Sequence, residues 1–183
     1  MKKRVLFIRM FFIVVAAIFA LAGCGNNPSQ QPSNMNHTDM EHSTSGEVPK
    51  GLKEANNPTY PVGSEMIVQS EHMPGMNGAE ATIVGAYDTI VYAVSYTPTT
   101  GGEPLKNHKW VIHEEIKNAG SEALKPGAEV TLEADHMPGM KEAVATIDTA
   151  EPTTVYMVDY NPTTGGETVK NHMWVTESEL STK

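Results

Sequence analysis

Two pentapeptides carry the residues best suited to chemistry. His72-Met73-Pro74-Gly75-Met76 recurs as His136-Met137-Pro138-Gly139-Met140. Pro at the second and Gly at the third position of Met-Pro-Gly-Met predict a type II β-turn, because Pro pre-sets a negative φ and Gly accepts the positive φ that must follow. Such a turn brings its end residues within about 7 Å, so two thioether sulfurs would gather at its mouth with an imidazole one residue away. Methionine sulfur is a poor ligand for Zn, Mg or Ca and a good one for Cu(I), and imidazole is a compatible partner. A thioether has no proton to lose, so such a site would resist acid better than a thiolate site. The bland alternative is a hairpin corner whose methionines fill gaps in a core. Against it stands Met35-Asn36-His37-Thr38-Asp39-Met40-Glu41-His42, a second Met/His cluster in a polar stretch with no core to fill. The candidate ligands are therefore His72, Met73, Met76, His136, Met137 and Met140, with Met35, His37, Met40 and His42 as a weaker, flexible set. The ion would be Cu(I), or Ag(I), which shares its ligand preference.

His108 and His172 precede Trp110 and Trp174 by two residues, so on a strand imidazole and indole share a face. A hydrogen-bonded core histidine is the first reading of each, and a direct or outer ligand the second. His113 has Glu177 as its counterpart 64 residues on, so it does not belong to a shared site. Lys109 is matched by Met173, which could bring one more sulfur to the second copy. Trp110 and Trp174, with Tyr92, Tyr96, Tyr156 and Tyr160, read first as core aromatics, with an exposed aromatic shelf for sugar binding as the lesser alternative. No Gly-x-Ser-x-Gly, phosphate-cradling glycine loop or paired carboxylates at a catalytic spacing are present, so the chain does not read as an enzyme and no organic cofactor is expected.

The elements that must position these residues fit within 183 residues carrying a single cysteine, Cys24. That length suits one ordinary domain or two small ones. One cysteine closes no intramolecular disulfide and builds no thiolate-rich zinc site. Lys2, Lys3 and Arg4 open an apolar run that ends at Leu21-Ala22-Gly23-Cys24, the form of an export leader with a lipid-attachment cysteine. A spanning helix needs about 20 unbroken apolar residues, and Arg9 cuts this run. Removal of the leader leaves nine basic residues against 22 acidic ones, a net charge near −13. Such a balance counts against nucleic acid as a partner. Residues 1–23 are read as the leader and 24–57 as a lipidated, disordered tether rich in Asn, Gln, Pro and Ser.

Beyond the tether the chain repeats itself. At an offset of 64, Gly63 to Ile116 aligns with Gly127 to Leu180 without a gap, with 29 identities in 54 positions, which marks a tandem duplication. Besides the two pentapeptides, the copies share Pro98-Thr99-Thr100-Gly101-Gly102-Glu103 with Pro162 to Glu167, and Lys106-Asn107-His108-x-Trp110-Val111 with Lys170 to Val175. Apolar residues alternate with period two, predicting strands over 65–70, 79–87, 90–96 and 106–112, then one polar helical turn. Tyr92, Val94 and Tyr96 share one face, as would His108, Trp110 and Ile112. The expectation is an all-β protein of two tandem SH3-like barrels, at 58–119 and 120–183. Each core is marginal by size, so the copies should pack together.

In these motifs, twice in order over Gly63 to Leu180 behind a lipid-attachment cysteine and a Met/His tether, the chain resembles the YdhK and CopL type of Gram-positive lipoprotein. The resemblance implies copper binding outside the cell and a part in copper tolerance, with a lipid anchor holding the protein at the outer face of the membrane and a copper-exporting pump as a candidate partner. The competing expectation from another class is a cell-wall or protein-interaction module in which the methionines are structural.

Overall fold

The computed structural model describes residues 44–183. The leader, Cys24 and the candidate ligands Met35, His37, Met40 and His42 lie outside the described residues. Among those described, no helix is long and apolar enough to cross a membrane.

The described chain is all-β. Its strands are β1 (Lys53–Glu54), β2 (Glu65–Val68), β3 (Glu80–Tyr96), β4 (Leu105–Ile112), β5 (Glu129–Thr131), β6 (Val144–Asn161), β7 (Val169–Thr176) and β8 (Leu180–Thr182). The polar helical turn expected after the last strand of each repeat is a 3-10 turn at His113–Glu115 and at Glu177–Glu179. All strands join one antiparallel sheet built around β3 and β6, which pair along nearly their full length, from Glu80↔Asn161 to Tyr96↔Ala145. The other edge of β3 receives β2, β1 and β4 in turn, and that of β6 receives β5 and β7. Ala81↔Tyr160 and Tyr96↔Ala145 are the same pair after a shift of 64, so a pseudo-twofold relates the repeats. The β2–β8 pairing, with Val68 opposite Leu180, likewise has its twin in the bridge between Leu132 and Ile116.

The expectation of one barrel per repeat is corrected by this pairing. Strands expected at 79–87 and 90–96 are one continuous strand, because Asp88 and Thr89 do not turn but stay in the ladder opposite Thr154 and Thr153. Each repeat therefore sends its second half away from its first. One core unites Met66, Val68, Met76 and Ile83 of the first repeat with Tyr156, Val158, Tyr160, Val175 and Leu180 of the second. The other unites Tyr92, Val94, Tyr96, Val111 and Ile116 with Leu132, Met140, Ala145 and Ile147. A third cluster contains Trp110, Trp174, Val91, Ala93, Val155 and Met157. This is the geometry of domain swapping within one chain, where an extended hinge exchanges identical elements. The expectation that marginal 55-residue cores pack together is met in the strongest form: the copies share their cores.

Strict alternation on β4 also fails, for a visible reason. Tyr92↔Val111 is followed by Val94↔His108, two steps on β3 against three on β4, and a second such shift follows before Tyr96↔Leu105. The inserted residues are bulges, and Asn107 adopts φ 50° there, as Asn171 adopts 51° in β7. His108 is thereby turned onto Tyr96, in the second core, while Trp110 and Ile112 enter the third cluster. The Asn107 N–H donates to Ser95 Oγ at 3.2 Å, and the Asn171 N–H to Asp159 Oδ1 at 2.8 Å. Asn tolerates this left-handed conformation and β-branched residues do not. Asn107→Val is expected to destabilise by about 1–2 kcal/mol and Asn107→Gly by only a few tenths, measured as shifts in the urea midpoint.

Candidate metal centre

Both Met-Pro-Gly-Met segments form the expected turn. The Met76 N–H donates to Met73 O and the Met140 N–H to Met137 O, each at 3.1 Å, with Gly75 at φ 77° and Gly139 at 79°. What clamps each turn is the Pro-Thr-Thr-Gly-Gly loop of the other repeat. Thr163 donates its N–H (2.8 Å) and hydroxyl (3.2 Å) to Gly75 O, and Thr99 does the same to Gly139 O at 2.9 and 3.2 Å. A Cβ on Gly75 would meet Thr164 Oγ1 at 2.5 Å, and one on Gly139 would meet Thr100 Oγ1 at 2.5 Å. Two motifs that look independent in the sequence are the two sides of one contact.

The methionines of each turn part company. Met76 and Met140 are 0% exposed, each inside a hydrophobic core, and Met76 Sδ accepts the Ser70 hydroxyl at 3.5 Å. The expected pair of sulfurs at the turn mouth is thus replaced by one: Met73 and Met137 stay half-buried at the surface, while their partners do the filling that Met does well.

The histidines are held by carboxylates from the opposite repeat. His72 Nε2 lies 2.7 Å from Glu179 Oε1, and Glu179 Oε2 also accepts from Trp110 Nε1, the Thr176 N–H and the Thr176 hydroxyl, each at 2.9 Å. His136 Nε2 lies 2.6 Å from Glu115 Oε1, and Glu115 accepts from Trp174 Nε1 at 3.2 Å and from the Ile112 N–H at 3.0 Å. Glu115 and Glu179 were not among the sequence candidates. Their signal was available, since this Glu is the only residue of the 3-10 turn identical in both copies. Trp110 and Trp174 also serve as indole donors.

A carboxylate on one ring nitrogen fixes the tautomer and leaves the other nitrogen its lone pair, the arrangement that commonly supports a metal-ligating histidine. His72 fits this pattern: its Nδ1 is buried and has no hydrogen-bond partner. Among the described residues no group of three or more His, Cys, Asp or Glu is arranged to hold an ion, so a site on these histidines would have to recruit thioethers. In the second repeat the means are at hand. His136, Met137 and Met173 line one cleft of about 1060 Å³, with Glu115 beside them. Glu47, Glu114, Glu133, Asp135 and Glu142 line the same cleft against Lys50 and Lys141, a surface suited to a cation. His108 and His172 pack ring edge against ring face on Tyr96 (5.8 Å) and Tyr160 (5.6 Å). Burial pushes the His108 pKa down to about 4, helped by the nearby His136 and His72 and opposed by Glu115, so its ring is neutral at physiological pH. His113 bonds Tyr92 Oη (2.8 Å) and Gly120 O (3.1 Å), a fold-holding role, with Glu177 reaching Tyr156 Oη in its place in the second repeat.

The two His-Glu contacts make stability depend on pH. Burial alone would raise the Glu179 carboxyl, but the hydrogen bond and charge of His72, with those from Thr176 and Trp110, hold it at about 2, against 4.5 when unfolded. Its contribution is present above pH 4.5 and is lost as pH falls toward 2. Burial pushes His136 down, but the charge and hydrogen bond of Glu115 outweigh it and the pKa stands above its ordinary 6.5. That contribution is present below pH 6.5 and is lost as pH rises through the folded value. The melting temperature of the metal-free protein is expected to fall on both sides of a mildly acidic maximum. Glu179→Gln should flatten the acid limb and His136→Gln the alkaline one.

Comparison with known proteins bears on the whole of this region. The family described as a protein of unknown function, DUF1541, matches residues 62–113 and again 126–177. A Bacillus subtilis relative, the uncharacterized protein YdhK, is 57% identical over 178 residues, 93% of this chain and 87% of its own. A crystal structure of a DUF1541 family protein, YdhK of the same organism, superposes with a TM-score of 0.77 at 63% identity, covering 80% of this chain and all of that one. A second crystal structure of the Bacillus subtilis YdhK protein matches with a TM-score of 0.64 at 66% identity, over 65% of this chain and 97% of its own.

Proposed function

The chain belongs to the DUF1541 family, and from that premise we propose that it binds Cu(I) through imidazole and thioether donors at the outer face of the membrane, lowering free copper there. The observation that carries this reading is the pairing, twice over, of a carboxylate-anchored imidazole with a half-exposed methionine on a clamped turn. At His72 the free ring nitrogen is buried and unpartnered. A metal bound there would supply a Lewis-acid centre of soft character. The protein's own part is to fix the ring tautomer through Glu179 or Glu115 and to hold the methionine at the turn. Leu21-Ala22-Gly23-Cys24 supports lipid attachment at Cys24, and stable anchoring requires more than one acyl chain. Met35, His37, Met40 and His42 would add a second donor set on the tether, from which copper could pass to an export pump.

The test is anaerobic Cu(I) titration of the chain without residues 1–23, against a competing cuprous chelator. It runs beside a variant with Met35 and Met40 changed to Leu and His37 and His42 to Gln. Tight binding is expected in both, and lost from the folded sites when Met73 and Met137 are changed to Leu with the fold intact by circular dichroism. Binding that disappears with the tether ligands alone would show the repeats to be a scaffold, and no binding in either protein would refute the reading.

A further inference from the structure

We propose that the two His-Met sites are unequal, and that the second cleft, where Met173 joins Met137 and His136, takes the soft cation first. The proposal rests on the metal-binding reading above and adds which site leads and which residue decides it. The two turns, their clamping loops and their His-Glu-Trp contacts recur in both repeats, and the first site has in addition the buried, unpartnered Nδ1 of His72, so the lead of the second site has to come from elsewhere. The position just before each Trp supplies it. In the first repeat it is Lys109, whose Nζ stands 4.8 Å over the Trp110 ring. That indole donates to Glu179, the carboxylate that holds His72, and its ring lies 6.3 Å from the His72 ring. An ammonium thus lies over the indole that borders the first site, and its charge disfavours a second cation nearby. In the second repeat the same position is Met173, which lines the cleft with His136 and Met137. One substitution removes a positive charge and supplies a third soft donor, and Cu(I) is well served by a few soft ligands.

A second difference acts in the same direction. One side of the second cleft is formed by chain preceding the first repeat, including Thr44, Glu47, Val48 and Pro49. It is pinned to β7, where the Thr44 N–H donates to Lys170 O at 3.0 Å and the Thr44 hydroxyl to Asn171 O at 2.6 Å. Asn171 Nδ2 returns a bond to Thr44 O at 3.2 Å. This segment occurs once in the chain, and it walls the second site. A cation there sits in a partly enclosed, acid-lined space, where charge is screened less than on open surface.

The experiment is nuclear magnetic resonance of the mature full chain carrying methyl-labelled methionine, titrated with Ag(I) as a redox-inert probe of cuprous sites. Each methionine methyl reports its own sulfur, so tether and repeats are read separately. The Met137 and Met173 methyls should move together, ahead of Met73 by an affinity ratio on the order of tenfold, the scale of one nearby charge. Lys109→Met, an exposed change, should close that gap by strengthening the response of Met73, and Met173→Lys should abolish the lead of Met137. Met73 and Met137 moving in step in the wild type, or Met173 standing still while Met137 moves, would overturn the inequality and leave the metal reading standing. Repeat methyls that stay fixed while those of Met35 and Met40 shift would refute both.

Discussion

Severing the chain between Ile116 and Gly127 is expected to give two fragments, neither of which folds as a monomer. Each fragment would contain a full set of strands by sequence but only half of each core. The first would hold Met66, Val68, Met76 and Ile83 without Tyr156, Val158 and Tyr160, and Tyr92, Val94 and Tyr96 without Leu132, Met140 and Ile147. It would also lose the partner of its longest strand, since β3 pairs with β6 from Glu80 to Tyr96. The ladder can be remade only by bending β3 back on itself at Asp88-Thr89, which stay extended in the intact chain, or by pairing with a second copy; with neither, the loss approaches the whole stability of a domain, about 5–15 kcal/mol. Circular dichroism and sedimentation of each fragment should show an unfolded chain or a symmetric dimer in which two copies exchange halves. Mixing the fragments should restore the native melting transition. A monomeric fragment with native-like cooperativity would overturn the prediction and show that β3 can turn back at Asp88-Thr89 once its partner is gone. Because its cores are shared between the repeats, the intact chain should unfold in one transition.

Glu115→Ala should be the most damaging single change among the residues that hold the candidate site. The residue is 5% exposed and its carboxylate answers three donors: His136 Nε2, Trp174 Nε1 and the Ile112 N–H. Removing one member of a buried pair strands the others, at a cost of about 3–5 kcal/mol. Glu133→Ala, an exposed change in the same cleft, should stay within about 0.5 kcal/mol. Equilibrium urea unfolding checks both. Because Glu115 orients the His136 ring, Glu115→Gln, which keeps an acceptor and loses the charge, is expected to retain the fold better than Ala. It should also weaken the proposed metal affinity of that site, as changes to such outer partners commonly do by about 10–100-fold. Equal damage from Glu133→Ala would show that the cleft tolerates no change and that Glu115 is not special in it.

Much of this was legible in the residues. The all-β class follows from period-two alternation, the type II turns from Pro74-Gly75 and Pro138-Gly139, the 3-10 turn from the polar stretch after each last strand, and the face shared by Tyr92, Val94 and Tyr96 from their spacing. Each is a local property, set by backbone preferences over a few residues. The placement of Met76 and Met140 was not legible, because a turn fixes where its ends lie and only the packing around it fixes which side chain points inward. The facing of His108 was missed because bulges at Asn107 and Asn171 shift the register, and an Asn in the left-handed region is permitted by its chemistry without being required by it.

The sequence by itself determined the duplication, the strands, the turns and the soft donors gathered beside histidine. Only the tertiary structure decided that His72 answers to Glu179 and His136 to Glu115, that each Thr-Thr loop clamps the other repeat's turn, and that Met173 shares a cleft with Met137 while Lys109 sits over Trp110. The physical reason is degeneracy. In a chain of two near-identical copies, a contact within a repeat and the same contact between repeats have the same chemistry, so local preference cannot choose between them. The choice falls to the hinge at Asp88-Thr89, which stays extended in the ladder with β6 and sends each half to the other's core.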